Sequence, residues 1–422
     1  MKKYIAVLLA FLLLFSQAGC RKRSGEADTS KEQTTMEGVD DGKLKVGFIL
    51  PAEDNAPDTV ARVDAIRRMQ HRTGLTDRQV FIQRNVGKEE CPQEIKTLAD
   101  KGCQLILALG ARYEEAVLEA AEEYDDIQFC LEGGRESADS DLPNVHTFNS
   151  RIYEAYYAAG VIAGMELNHR LNRGDISPYD CRVGFVAYKQ CAETSTCINA
   201  FYLGIRTQCS QSTIDVRYVG KRGNYDADGE AARQLAASGV GMMCTYTYTS
   251  AAAAVCAERG IPVIGNEYNI IDSAPKQALT STYTDWSLYY TDVVNAMING
   301  RIIDKDFCGG YKGNMVSLTQ LNDAEVVEGT AQKLMEVEKK LRKGSIKIFD
   351  TTGFTIDGQS LDELVKTEDE YKKKYDEYLK GGELKEQSAT SAPIFVDLID
   401  GVRESSMDYL GGSSEESEEE NP

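Results

Sequence analysis

Histidine is scarce in this 422-residue chain: His71, His146 and His169 are the only three, and none stands in an HExxH or His-x-His cluster. That removes the usual helix-borne zinc hydrolase site. Neither a GxxxxGK(S/T) phosphate loop nor a GxSxG nucleophile elbow occurs, so nucleotide hydrolysis and serine-esterase chemistry lack their common machinery. No nucleophile–base pair or metal constellation stands out, and the chain reads as a non-enzyme without metal or cofactor. Basic residues are the minority, 47 against 67 acidic, for a formal net charge of −20. A nucleic-acid reader needs a basic footprint to meet phosphates, so no nucleic-acid partner is expected. The eleven cysteines include no CxxC pair, which excludes zinc ribbons and thioredoxin-like redox centres. No apolar run reaches the roughly eighteen residues that a membrane span needs.

What is present begins at the N-terminus. Lys2 and Lys3 precede an eleven-residue apolar run, Ile5 to Phe15, the size of a secretory signal core. Ala18-Gly19 then stand before Cys20, a motif that resembles the bacterial lipobox, with Gln17 where an aliphatic residue is usual. The reading is a signal peptide over 1–19 and a lipidated Cys20. The chain would then be held on the extracytoplasmic face of the cell membrane. The bland alternative is a plain signal peptide with an incidental cysteine. Residues 20–43 are polar, rich in Ser, Thr, Gly and charge, and read as a flexible tether. Ten cysteines remain after Cys20. Cys191 with Cys197, or Cys91 with Cys103, could bridge locally, whereas Cys130 and Cys244 lie in strand-like runs as small hydrophobes. The sequence leaves the pairing open.

At Leu44 the texture changes. Leu44–Leu50 is a strand pattern, followed by Val60, Val63, Ile66 and Met69 at helical spacing. Strands at 79–82, 105–109 and 127–131 alternate with helices at 92–101 and 113–124. The rhythm repeats from Val183 to Ile264, after a small-residue-rich helical segment at 152–167. Short apolar strands alternating with amphipathic helices mean βαβ units and parallel sheets covered on both faces. The expectation is an α/β fold with two doubly wound parallel-sheet lobes and a hinge cleft. Lobe 1 spans 44–150 with a returning segment near 275–315, and lobe 2 spans 151–274 with one near 316–358. Residues 359–410 read as a charged helical extension, with Tyr371, Tyr375 and Tyr378 on one stripe, and 411–422 as a disordered acidic tail.

An ordered series of fragments carries a resemblance. It includes Lys45-Val-Gly-Phe48, Leu105-Ile-Leu-Ala-Leu-Gly110, Tyr153-Glu-Ala-Tyr-Tyr-Ala-Ala-Gly160, Asn199-Ala-Phe-Tyr-Leu-Gly204, Tyr225-Asp226, Gly260-Ile-Pro-Val-Ile-Gly265 and Leu279-Thr-Ser281. Over roughly 44–357 the chain resembles the basic membrane protein (BMP) family of solute-binding lipoproteins, which includes purine nucleoside receptors of ABC importers. The resemblance implies a type I periplasmic-binding-protein-like fold whose lobes close on a small-molecule, nucleoside-like ligand. It also implies ABC permease subunits as partners. A sensory lipoprotein presenting its ligand to a signalling receptor is the alternative. Among candidate site residues, the family's pattern places Asp54 at its ligand aspartate, and Pro57-Asp58 where an aromatic-Asn pair is expected. Tyr225 and Asp226 match its aromatic-Asp turn. Asn269 stands near a further Asp position, and Trp286 follows the Leu-Thr-Ser strand.

Position alone says less. Asp54, Gly110 and Glu132 stand at predicted carboxyl strand ends, where open α/β sheets bind ligands. Each equally fits a turn or an exposed strand end. Tyr246 and Tyr248 share one side of an extended run and can grip a flat solute or simply pack. Trp286, the only tryptophan, can stack on a base or fill core.

Overall fold

The computed structural model describes residues 36–52, 56–388 and 390–405. The signal peptide, Cys20, most of the tether, Asp54 and the acidic tail lie outside the described residues. The first lobe begins with β1 (Val46–Ile49), α1 (Pro57–Thr73), β2 (Val80–Gln83), α2 (Cys91–Asp100) and β3 (Leu105–Ala108). It continues through α3 (Glu114–Glu123), β4 (Gln128–Glu132), α4 (Arg135–Asp139) and β5 (Val145–Ser150). β1 and β3 are apolar runs buried throughout, as strands covered on both faces must be. α1 opens on Pro57, whose missing N–H costs nothing in a first turn, and stops at Gly74 in a left-handed cap.

α5 (Ile152–Arg173) carries the chain into the second lobe. There β6 (Arg182–Ala187), α6 (Ala192–Arg206), β7 (Thr213–Tyr218), α7 (Tyr225–Ala237) and β8 (Met242–Tyr246) follow. α8 (Ala251–Arg259), β9 (Val263–Gly265) and β10 (Ala278–Thr284) complete that run. α9 (Trp286–Asn299) and β11 (Asp306–Gly309) return to the first lobe, where α9 packs against α1. β12 (Val316–Leu318) and α10 (Thr330–Arg342) go back to the second. α11 (Leu361–Thr367), α12 (Asp369–Tyr375) and β13 (Val402–Glu404) end the described chain.

The strand orders are β2-β1-β3-β4-β5-β11 in one sheet and β13-β7-β6-β8-β9-β10-β12 in the other. Every pair is parallel except β10 with β12. These are the two doubly wound lobes. The order reverses beside β1 in one sheet and beside β6 in the other, which opens a crevice at the strands' carboxyl ends. Two of the expected boundaries move. The segment near 275–315 divides between the lobes, because β10 is buried along nearly its whole length and takes β9 and β12 as neighbours. Only α9 and β11 join the first lobe.

The other change is in the C-terminal extension. Instead of one exposed helix, the chain breaks at Glu368, whose backbone is extended, and continues to β13, which adds a parallel edge to β7. The tyrosine stripe is the reason: Tyr375 and Tyr378 are buried, and with Leu364, Phe395 and Ile399 they belong to the second lobe's core. In the same core α5 and α6 touch backbone to backbone. A Cβ on Gly160 would lie 2.1 Å from the Phe201 carbonyl oxygen, and one on Gly204 would lie 2.2 Å from that of Tyr157. Small residues there set the helix separation.

Candidate functional site

The cleft lies where the chain crosses between lobes. α1 contributes Arg62, β4 ends in Glu132, and α9 opens on Trp286. From the other side α6 contributes Glu193, Tyr246 ends β8, and Tyr248 and Glu267 follow β8 and β9. Asn149 and Ser150 stand at the crossing itself.

Arg62 organises the first wall. Its Nη2 donates to Glu132 Oε1 at 2.6 Å, its Nε to Asp58 Oδ1 at 3.3 Å and its Nη1 to the Tyr290 hydroxyl at 3.4 Å. Burial opposes its charge, but Glu132 and Asp58 outweigh that and hold the guanidinium well above its ordinary range. The guanidinium also lies over the Trp286 ring, 4.1 Å from its centroid.

Glu193 organises the second wall. It accepts from Tyr246 at 2.7 Å, from Tyr188 at 3.0 Å and from Arg222 at 2.5 Å. Burial would raise this carboxyl, yet Arg222 and the two hydroxyls keep it below the usual carboxylate range. Tyr246 stacks on Tyr156 with centroids 5.7 Å apart, and the Tyr248 ring stands perpendicular to it. The two rings therefore form a corner and not a parallel clamp.

Glu267 lies between the walls. Its backbone has φ 63°, an uncommon conformation for a side-chain-bearing residue. Both carboxylate oxygens accept from Thr284, one from the backbone N–H at 3.3 Å and one from the hydroxyl at 3.1 Å. Burial pushes its pKa up to about 7, with Arg62 pulling the other way. The cleft thus joins aromatic faces to one arginine and three carboxyls, with Arg222 behind Glu193, a surface able to grip a flat solute with hydroxyl or amine edges.

Glu132, Tyr246, Tyr248 and Trp286, all singled out from sequence, line this cleft. Asp58 touches it through Arg62. Asp54 is outside the described residues. Gly110 stands two residues past β3 with φ 140° and ψ 137°, at the carboxyl edge but off the cleft wall. Tyr225 and Asp226 open α7 and line a separate hollow with Arg233 and Glu258. Asn269 is exposed, and its Oδ1 accepts from the Ile271 backbone N–H at 2.9 Å in a local turn. The carboxyl facing the cleft after β9 is Glu267, two residues earlier. Arg62, Glu193 and Arg222 carried one faint signal between them: Arg62 is a charge beside the apolar stripe of α1.

Among the described residues no group of three or more His, Cys, Asp and Glu side chains is placed to hold a metal ion. The ten cysteines from Cys91 to Cys308 are free thiols. His146 is buried, shares a hydrogen bond with Gln128 at 2.9 Å, and is pushed by burial down to about 4. No described helix is long and apolar enough to cross a membrane.

Residues 59–350 match the family described as ABC transporter substrate-binding protein PnrA-like. The chain belongs to that family. A purine-binding protein of Brucella abortus (strain 2308) is 26% identical over 309 residues, covering 73% of this chain and 83% of its own. A solute-binding protein from Conexibacter woesei is 17% identical with a TM-score of 0.59, covering 72% of this chain and 97% of that one. One from Aeropyrum pernix K1 is 15% identical with a TM-score of 0.60, covering 72% and 93%. This PnrA-like chain is thus an ABC transporter solute-binding protein of an extracytoplasmic family. Its family's work is to bind a small molecule and deliver it to a permease.

Proposed function

We propose that this receptor captures a purine nucleoside in the cleft by lobe closure and hands it to its permease from a lipid anchor at Cys20. One observation carries the reading: the Tyr246–Tyr248 corner and Trp286 face a cleft bordered by Glu132, Glu193 and Glu267. Aromatic faces suit a base, and carboxyls suit ribose hydroxyls or ring N–H groups. The purine-binding relative supports the same ligand class. The three crossings between the sheets are short, a geometry that favours hinge closure over shear. Asp54, next to this cleft in sequence terms, would add a further carboxylate.

Titration calorimetry with inosine, guanosine and adenosine tests the ligand. Binding in the sub-micromolar to micromolar range is expected, about −8 kcal/mol or tighter. Silence toward all three nucleosides would remove the ligand assignment and leave the receptor family intact.

A further inference from the structure

The family match ends at residue 350, yet two residues far beyond it, Gln387 and Pro393, line the cleft. They sit on a loop that is tied to itself. The Glu386 carboxylate accepts from the backbone N–H groups of Ile394 at 2.9 Å and Phe395 at 3.0 Å. Gln387 Nε2 donates to the Ser391 carbonyl at 2.6 Å. The extension that carries this loop is also tied to both lobes. On the first, Ser391 N–H donates to Asp306 Oδ2 at 2.7 Å, and Arg135 donates to the Tyr378 hydroxyl at 3.1 Å. On the second, Tyr153 donates to the Glu386 carbonyl at 3.2 Å and Asn199 to the Asp397 carbonyl at 2.8 Å. Gln387 itself is buried and has φ 46°. A side chain kept in the left-handed region persists only where its surroundings over-determine it, and such positions gather at ligand sites.

From these contacts we infer that the C-terminal extension forms one wall of the ligand cleft and that Gln387 is a specificity-determining residue touching the bound solute. The inference rests on the proposed function in taking this cleft as the ligand site. A primary amide offers a donor and an acceptor side by side, and because Nε2 is held on the Ser391 carbonyl it cannot flip, so it reads one order of donor and acceptor on a neutral solute edge. A purine with a 6-oxo group and N1–H presents such an edge, and a 6-amino purine presents the reverse.

The test is Gln387→Gly, which deletes the side chain while giving the backbone the residue its φ favours. Gln387→Glu, which keeps the volume and replaces the donor, is made beside it. Both are titrated with inosine and adenosine, with thermal melting as the check on folding. Gln387→Gly is expected to weaken inosine about 3- to 10-fold, and Gln387→Glu to change the inosine-to-adenosine preference. Wild-type affinities and preference in both variants overturn the inference. If the wild-type protein binds no nucleoside, the ligand reading fails separately, and the wall is judged by acrylamide quenching of Trp286. Greater quenching in Gln387→Gly upholds the wall; equal quenching overturns it.

Discussion

The guanidinium carbon of Arg62 lies 4.1 Å from the centre of the Trp286 ring, while the same guanidinium bridges Asp58 and Glu132. One face of the only tryptophan is therefore committed to a cation. Trp286 emission reports the position of Arg62 as well as any solute in the cleft.

Arg62→Ala leaves two carboxylates facing each other without a counter-charge. Breaking a buried pair from one side costs about 3–5 kcal/mol, so the urea midpoint should fall markedly and Trp286 emission should shift. Arg62→Lys keeps the charge but not the fork, and should fall between. An unchanged midpoint and spectrum in Arg62→Ala would show that the cluster contributes nothing.

Tyr248 offers a ring less enclosed than that of Tyr246. If a base stacks there, Tyr248→Ala should weaken nucleoside binding about 5- to 150-fold, the equivalent of about 1–3 kcal/mol. Calorimetry on the variant decides it, and Tyr225→Ala, in the separate hollow beside α7, should bind as wild type does.

Glu267 links folding to pH. Its folded pKa of about 7 lies above the ordinary carboxyl value, so the folded state holds the proton more tightly than the unfolded chain. The stabilisation is complete below the unfolded pKa and disappears as pH rises through about 7. Between about pH 5 and 8 the wild-type melting temperature should therefore drop relative to Glu267→Gln. Parallel curves for the two proteins would refute the linkage.

Gly160→Ala puts a methyl where the Phe201 carbonyl oxygen stands 2.1 Å away. Forcing α5 and α6 apart should cost about 1–3 kcal/mol, read as a lower urea midpoint with an unchanged m-value. A neutral result would mean the helices have room to separate.

Cys20→Ser tests the anchor independently of the ligand. The variant should leave the membrane fraction and appear in the soluble extracytoplasmic fraction. Equal retention on the membrane would end the lipoprotein reading.

The repeated βαβ pattern was legible because β1, β3 and β8 are short apolar runs with helices between them, a signal local to each segment. β10 misled because an interior strand and a crossing segment look alike until the neighbouring strands are known. The extension misled differently: a tyrosine stripe at helical spacing points to one exposed helix resting on the body, and does not reveal the break at Glu368 or that Tyr375 and Tyr378 enter the second lobe's core. Glu132, Tyr246, Tyr248 and Trp286 were found because they stand at strand ends or are rare. Glu193 and Arg222 were not, since Glu193 lines the cleft from the first turn of a helix and Arg222 acts only by bonding it from behind. Asn269 stands near the Asp position that the resemblance implies, and only the turn that follows β9 shows that Glu267, two residues earlier, faces the cleft.

The last described strand, β13, pairs with β7, which precedes it by nearly the whole second half of the protein. A ribosome must therefore add all the elements from α7 to α12 after β7 before the second sheet has its outer edge. Until then β7 presents one open edge to whatever it meets, whereas the first lobe is complete once β11 has been made. Shortening the protein to the part that matches its family would make that interim state permanent. The outer edge of the second sheet thus depends on a segment outside the family match as much as on the βαβ units inside it.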